Sequence, residues 1–267
     1  MRPVSRFASR RAFRRTGKGT TGHCSATKPK IRRRTCRYRI GYSPAYRKEN
    51  EDGIRQDWPR IPLPTSREAL EASARLGNAV AAPLDIEGPV KGVTSKAIRP
   101  ELKVIGPVGK IGGGRLDPGA GDLDLTAGWG HRGKGGVVMP AKGKIVRRDY
   151  EPEELEAIGQ GAADLGLSDD EAISLLGRST LDVFLNGNVC WRNVPENVWG
   201  FHIGGYPVIK KWLCYREREI LGRGLTTDEV REVTGTGRRI AAILLIQKDL
   251  DRNYENIKGN TFQWERS

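Results

Sequence analysis

The chain has 267 residues, is 37% hydrophobic, and carries a formal net charge of +14 from 46 Lys and Arg against 32 Asp and Glu. A mean hydropathy of -0.54, with no apolar run near the roughly 18 residues that cross a bilayer, excludes a membrane span and fits one sizeable core with at most a small appendage. The excess charge has one address: residues 1–39 hold eleven arginines, three lysines and no carboxylate, so the remaining 32 cations meet 32 anions and the rest is formally neutral.

That tract, with its Arg pairs and triplets, cannot bury enough apolar surface to order itself and is expected to be disordered. Three origins compete for it: a nucleic-acid-binding arm, an Arg-rich transit peptide, or a non-native extension from a misplaced start or truncated gene. No apolar core follows the arginines, which sets aside a secretory signal. Cys24, Cys36, Cys190 and Cys214, with three histidines, show neither CxxC spacing nor metal-ligand clustering. They read as free thiols in a reducing cytoplasm, and no metal site is expected.

From residue 40 onward capping chemistry marks helices. Ser43-Pro44 opens one over 45–55, and Thr65 with Glu68 opens another over 66–81. Between 83 and 148, Val/Ile/Leu runs broken by Gly and Pro predict short strands, including Lys103–Val108 and Gly135–Met139. Ser168 with Glu171 predicts a helix over 169–177. Asn186-Gly187, set between Leu181–Leu185 and Val189–Trp191, predicts a hairpin with a type I′ turn, which needs positive φ at both central residues. Val198–Ile203 reads as a strand, Gly204-Gly205 as a turn and Pro207 as the start of a helix. Thr226 with Glu229 opens a last helix over 227–252. The expected fold class is α+β, a single mixed domain with a β-rich middle flanked by helices.

Enzymatic motifs fare poorly. Gly128-Trp-Gly-His-Arg-Gly-Lys134 has Walker A spacing, but Gly135 stands where Ser or Thr must hold magnesium. Asp117-Pro-Gly-Ala120 lacks the second proline and the aromatic of a methyltransferase base pocket. Asp85, Glu101 and Lys103 could form a magnesium-dependent nuclease site, although such loosely spaced charges arise often by chance. His131 reads as a solvent-facing turn residue and His202 as a strand-face residue, neither having a partner acid at useful spacing.

Residues 197–218 are the most informative stretch, combining aromatics, a glycine pair and adjacent lysines. Projected at about 100° per residue, Val208, Ile209, Trp212 and Leu213 share a packing arc, while Lys210, Lys211, Cys214 and Arg218 lie opposite. Arg216 falls in the apolar arc and demands a carboxylate or an anion there.

Tyr42-Ser-Pro-Ala-Tyr-Arg47, Arg55-Gln-Asp-Trp-Pro-Arg-Ile-Pro-Leu-Pro64, Gly121-Asp-Leu-Asp-Leu-Thr-Ala-Gly-Trp-Gly130 and Ile203-Gly-Gly-Tyr-Pro-Val-Ile-Lys-Lys-Trp-Leu213 give the chain its resemblance. With Leu225–Arg231 and Arg238–Ile243, these strings resemble the C-terminal specificity region of type ISP restriction-modification enzymes over about residues 41 to 257. The resemblance implies a fragment. Residues 40–258 are the target-recognition part and 259–267 a flexible tail, while the arginine tract stands in place of the parent's catalytic methyltransferase fold. It further implies a parent that methylates adenine N6 with S-adenosylmethionine, no cofactor or catalytic residue in this chain, and a separate catalytic methyltransferase segment as a possible partner. Double-stranded DNA is the expected ligand and the cytoplasm, on the nucleoid, the expected location. The candidate contacts are Trp129, His131, Arg132, Lys134, Lys210, Lys211, Arg216 and Arg218. The competing readings are the nuclease through Asp85, Glu101 and Lys103, and a vestigial scaffold.

Overall fold

The computed structural model describes residues 40–56 and 59–262, so the disorder expected for 1–39 and the end of the expected tail at 263–267 fall outside it. Ser43 caps α1 (Pro44–Glu49) by accepting from the Tyr46 N–H at 3.2 Å. The single helix expected over 45–55 is two, because the chain breaks at Asn50, whose side-chain amide donates to the Tyr46 carbonyl, and restarts as α2 (Glu51–Gln56). Ser66 rather than Thr65 caps α3 (Arg67–Leu84), which runs through Pro83 past its expected end.

The strand expected at Lys103–Val108 is mostly not one. Pro100 suits the first helical position, so α4 (Pro100–Lys103) forms instead, Gly106 turns the chain at φ 65°, and β1 (Val108–Lys110) starts late. β2 (Gly130–Arg132) pairs antiparallel with β3 (Val138–Pro140), His131 opposite Met139. β3 starts after the expected Gly135 because Gly135 and Gly136 hold φ of 73° and 75° and form the turn.

β4 (Ile145–Arg148) and α5 (Pro152–Asp164) follow, the latter opened by a capping box of Glu151 and Glu154. The expected helix after Ser168 is α6 (Asp169–Leu176), capped by Ser168 and Glu171. β5 (Thr180–Phe184) and β6 (Val189–Pro195) complete a four-stranded antiparallel sheet of order β1-β6-β5-β4. The β5–β6 hairpin has no type I′ turn, since neither Asn186 nor Gly187 has positive φ. Instead the Asn186 side-chain carbonyl accepts the N–H groups of Asn188 and Val189 at 2.9 and 3.0 Å.

α7 (Glu196–Trp199) takes the first half of the expected 198–203 strand. Only β7 (His202–Ile203) remains extended, and it turns through Gly204 and Gly205, at φ 58° and 81°, into β8 (Tyr206–Pro207). The double positive φ that a two-residue hairpin needs is therefore here. Pro207 caps α8 (Val208–Cys214) from outside rather than opening it, and α9 (Arg218–Leu221) follows. The last expected helix is two, α10 (Thr227–Leu245) and α11 (Gln247–Lys258), broken at Ile246.

The assembly is α+β, with one main core in which Leu102, Ile105, Val183, Trp191, Leu213, Ile240 and Leu245 interlock sheet and helices. Arg239 of α10 closes the end of α3, donating to the Asp85 and Gly88 carbonyls at 2.9 and 2.7 Å. A second small cluster joins the two ends of the described chain: Tyr46 meets Tyr254 edge-on at 5.3 Å, and Ser43 donates to Asp251. Residues 259–262, expected to be a free tail, are tied down: Thr65 N–H donates to Asn260, and Phe262 N–H to Leu63 at 2.8 Å. Among the described residues no helix is long and apolar enough to cross a membrane.

Candidate nucleic-acid interface

Trp129 is fully buried, its indole N–H donating to the Phe184 carbonyl at 2.8 Å and its ring meeting Trp199 edge-on at 5.3 Å. As a DNA contact it is corrected: a side chain with no exposed surface cannot touch a duplex. Gly143, at φ 68°, wraps directly over this ring, where any Cβ would collide with it. The Walker-like loop is closed in the same way. Glu217 accepts the N–H groups of Gly128 and Trp129 at 3.1 and 2.8 Å, so the chain's own carboxylate fills the place a phosphate would take. Burial pushes the Glu217 carboxyl above the usual carboxylate range, although the N–H groups of Trp129, Gly128 and Gly130 oppose the shift.

What Trp129 does is position the β2–β3 hairpin. In an antiparallel pair successive residues alternate faces, so Gly130, Arg132, Val138 and Pro140 share one face and His131, Gly133, Val137 and Met139 the other. The first face docks: Gly130 lies so close to the Cys214 carbonyl that a Cβ there would collide with it, and Arg132 donates to the Ile220 carbonyl at 3.1 Å. Two candidate patches about 80 residues apart in sequence, the glycine-rich loop and the helix after Pro207, are thereby brought together.

The helix projection is right in part. Ile209 and Leu213 are buried, but so is Cys214, expected on the polar arc, because β2 packs on it. Trp212 lies at the margin of the core, donating to Glu232 at 3.1 Å and carrying the Arg216 guanidinium 3.9 Å above its ring. Arg216 finds the carboxylate its position demands, Glu229 at 3.8 Å. Arg218 pairs with Asp124. Both are tied to internal acids. Lys211 lies 3.5 Å above the exposed Tyr206 ring, and Lys210 is half-buried beside it on α8.

Among the described residues the most basic stretch lies elsewhere. Residues 125–148 hold six cations and no carboxylate. Arg147 pairs with Glu196, and Arg148 with Glu154 and Asp182. Among the described residues, no carboxylate pairs with the other four, Arg132, Lys134, Lys142 and Lys144. Lys142 and Lys144 flank Gly143 and are exposed, Lys144 lying 4.1 Å from the Phe184 ring centre. Neither lysine is among the candidate contacts named from the sequence, although the acid-free run marks them.

The nuclease trio does not assemble. Glu101 is fully buried beside Arg99 at 2.9 Å and walled in by Gly161, and burial pushes its carboxyl up. Asp85 ends α3, where its side chain accepts from the Glu87 N–H at 3.4 Å, and no metal-ligating cluster of three His, Cys, Asp or Glu exists among the described residues. His202 sits on its strand, Nδ1 2.6 Å from the Gly200 carbonyl. Cys190 and Cys214 are free and buried; Cys24 and Cys36 lie outside the described residues.

Residues 143–239 match the type ISP C-terminal specificity domain. This segment runs from Gly143, which lies over Trp129, through β4, β5 and β6 of the sheet, the adjacent lysines Lys210 and Lys211 of α8, and most of α10. A type ISP specificity domain serves DNA target recognition in restriction-modification and is itself non-catalytic. The β2–β3 hairpin precedes the match and docks onto its α8 and α9. No curated protein and no solved structure matches the chain.

Proposed function

We propose that this chain binds double-stranded DNA as the target-recognition module of a type ISP-like site-specific adenine-N6 methyltransferase. The supporting observation is the group of four cations, Arg132, Lys134, Lys142 and Lys144, that have no carboxylate partner among the described residues, beside a specificity-domain match. Unpaired surface cations held on a rigid frame are what phosphates replace their counterions with. S-adenosylmethionine and the transfer step belong, in this reading, to a separate methyltransferase segment, and the work is done on DNA in the cytoplasm. Lys210 and Lys211 flank the same docked elements as secondary contacts.

Titrating the full chain into fluorescent duplex DNA at several salt concentrations tests the reading. Binding should weaken steeply with salt, and Arg132→Glu with Lys134→Glu should weaken it further. A chain whose duplex affinity is indifferent to this double reversal does not bind through the hairpin, and the reading fails.

A further inference from the structure

The solvent-facing side of the β2–β3 hairpin is apolar in a place where a surface hairpin is ordinarily polar. Val137 is 60% and Met139 45% exposed, and by alternation both lie on the face opposite the one docked on α8 and α9. His131, cross-strand from Met139, shares that face, and the fourth position is Gly133, over which the Met139 side chain lies. Gly135 and Gly136 keep the turn thin, and Lys134 within it and Lys142 just beyond β3 flank the ribbon. No Arg, Asn or Gln, the usual hydrogen-bonding readers of base edges, stands on the outward face.

Resting on the DNA-binding reading above, we propose that this ribbon enters the major groove and that Val137 and Met139 read thymine C5-methyl groups. The groove is about 12 Å wide and admits a two-stranded ribbon, and the thymine methyl is its one apolar feature. Cations at both margins place the ribbon by holding phosphates, while the apolar face supplies discrimination. His131, with one donor and one acceptor in its neutral form, is the one polar group on that face able to meet an adjoining base edge.

The test begins with selection of bound sites from a random-sequence duplex library by the full chain. Each thymine of a selected site is then replaced by deoxyuracil, which removes only the methyl group. At one or two positions the replacement should weaken binding about fourfold, the effect of one methyl losing its apolar contact. The Val137→Ser, Met139→Ser variant should bind thymine and uracil sites alike while keeping the wild-type salt dependence, because both side chains are exposed and neither holds a phosphate. A selected site that tolerates uracil everywhere overturns the methyl reading and leaves the DNA-binding reading standing. Selection that enriches no sequence also overturns it, and a chain that retains no duplex at low salt overturns both.

Discussion

Two neighbouring stretches of this chain have opposite electrical character. Residues 125–148 carry six cations and no acid; residues 149–176 carry nine acids and no cation. The first builds the β2–β3 hairpin and β4, the second builds α5 and α6. They are stitched together where they meet, Arg148 of β4 donating to Glu154 of α5 at 2.7 and 2.8 Å. A body that is neutral in sum is therefore polarised. Net charge says nothing about where an anionic polymer can approach, whereas the local imbalance does. The lesson extends to pairing: of the six basic-side cations, Arg148 is neutralised by Glu154 of α5 and by Asp182, Arg147 by Glu196 of α7, and the other four have no carboxylate partner among the described residues.

The most severe way to break this contrast is to remove the frame that presents the basic side. Trp129→Ala should cost about 3–5 kcal/mol in urea unfolding, the range for deleting a buried aromatic, and should scramble the hairpin with it. Exposed Glu153→Lys on α5 should move stability by less than about 0.5 kcal/mol. Next comes charge reversal without loss of fold. Lys134→Glu with Lys142→Glu should lower duplex affinity on the order of tenfold or more in low salt, since two phosphate contacts become two repulsions. Glu153→Lys with Glu156→Lys should leave affinity unchanged or slightly raised. If both pairs weakened binding equally in anisotropy titrations, the polarity assigned to the two faces would be wrong.

Much of the frame was legible in the sequence, and the reasons for the misses are physical. The Ser168 and Thr226 capping boxes were read correctly because hydroxyl and carboxylate at three-residue spacing solve a local problem. α5 is the harder case: its cap is Glu151 with Glu154, a box without a hydroxyl, and the start signal that the sequence does offer is Pro152 at the first helical position. Asn186-Gly187 and Gly204-Gly205 are both turn dipeptides, yet only the second uses positive φ, since Asn186 is drawn into contacts with the Asp122 and Asp124 carbonyls at 3.0 and 3.1 Å. Such a tertiary bond lies outside any local window. Trp129 was mistaken for a contact for the same reason: its burial depends on Gly143, Phe184 and Trp199, none of them near it in helical or strand spacing. Arg216 shows the opposite case, where the cost of an unpaired charge on an apolar arc correctly demanded Glu229.

Finer substitutions separate paired from unpaired cations. Lys142→Ala should reduce the slope of log affinity against log salt by about 0.9, the counterion released at one phosphate, whereas Arg147→Ala, already matched to Glu196, should leave the slope unchanged. Equal slopes for both variants would mean that the carboxylate pairs do not sort the basic side into structural and DNA-facing groups.

The smallest expected effect lies at Glu229, where pairing can be followed through pH. Arg223 beside it holds its carboxyl down at about 2, against an ordinary value of 4.5. A carboxyl depressed in the folded state stabilises fully above its unfolded value and loses that contribution as pH falls from about 4.5 through about 2. Arg223 is half exposed, so solvent screens the pair and the loss should be a modest part of the acid limb. Glu229 also completes the α10 capping box and meets Arg216, so Glu229→Gln should lower the urea midpoint at neutral pH and flatten its decline below pH 4.5. Arg132→Gln, an unpaired cation of the hairpin, should leave that acid limb as it is, because no carboxylate of the described fold depends on it. If the Arg132 variant flattened the limb as much as Glu229→Gln does, the hairpin cation would be structurally paired after all, and the division between its role and that of the C-terminal arginines would collapse.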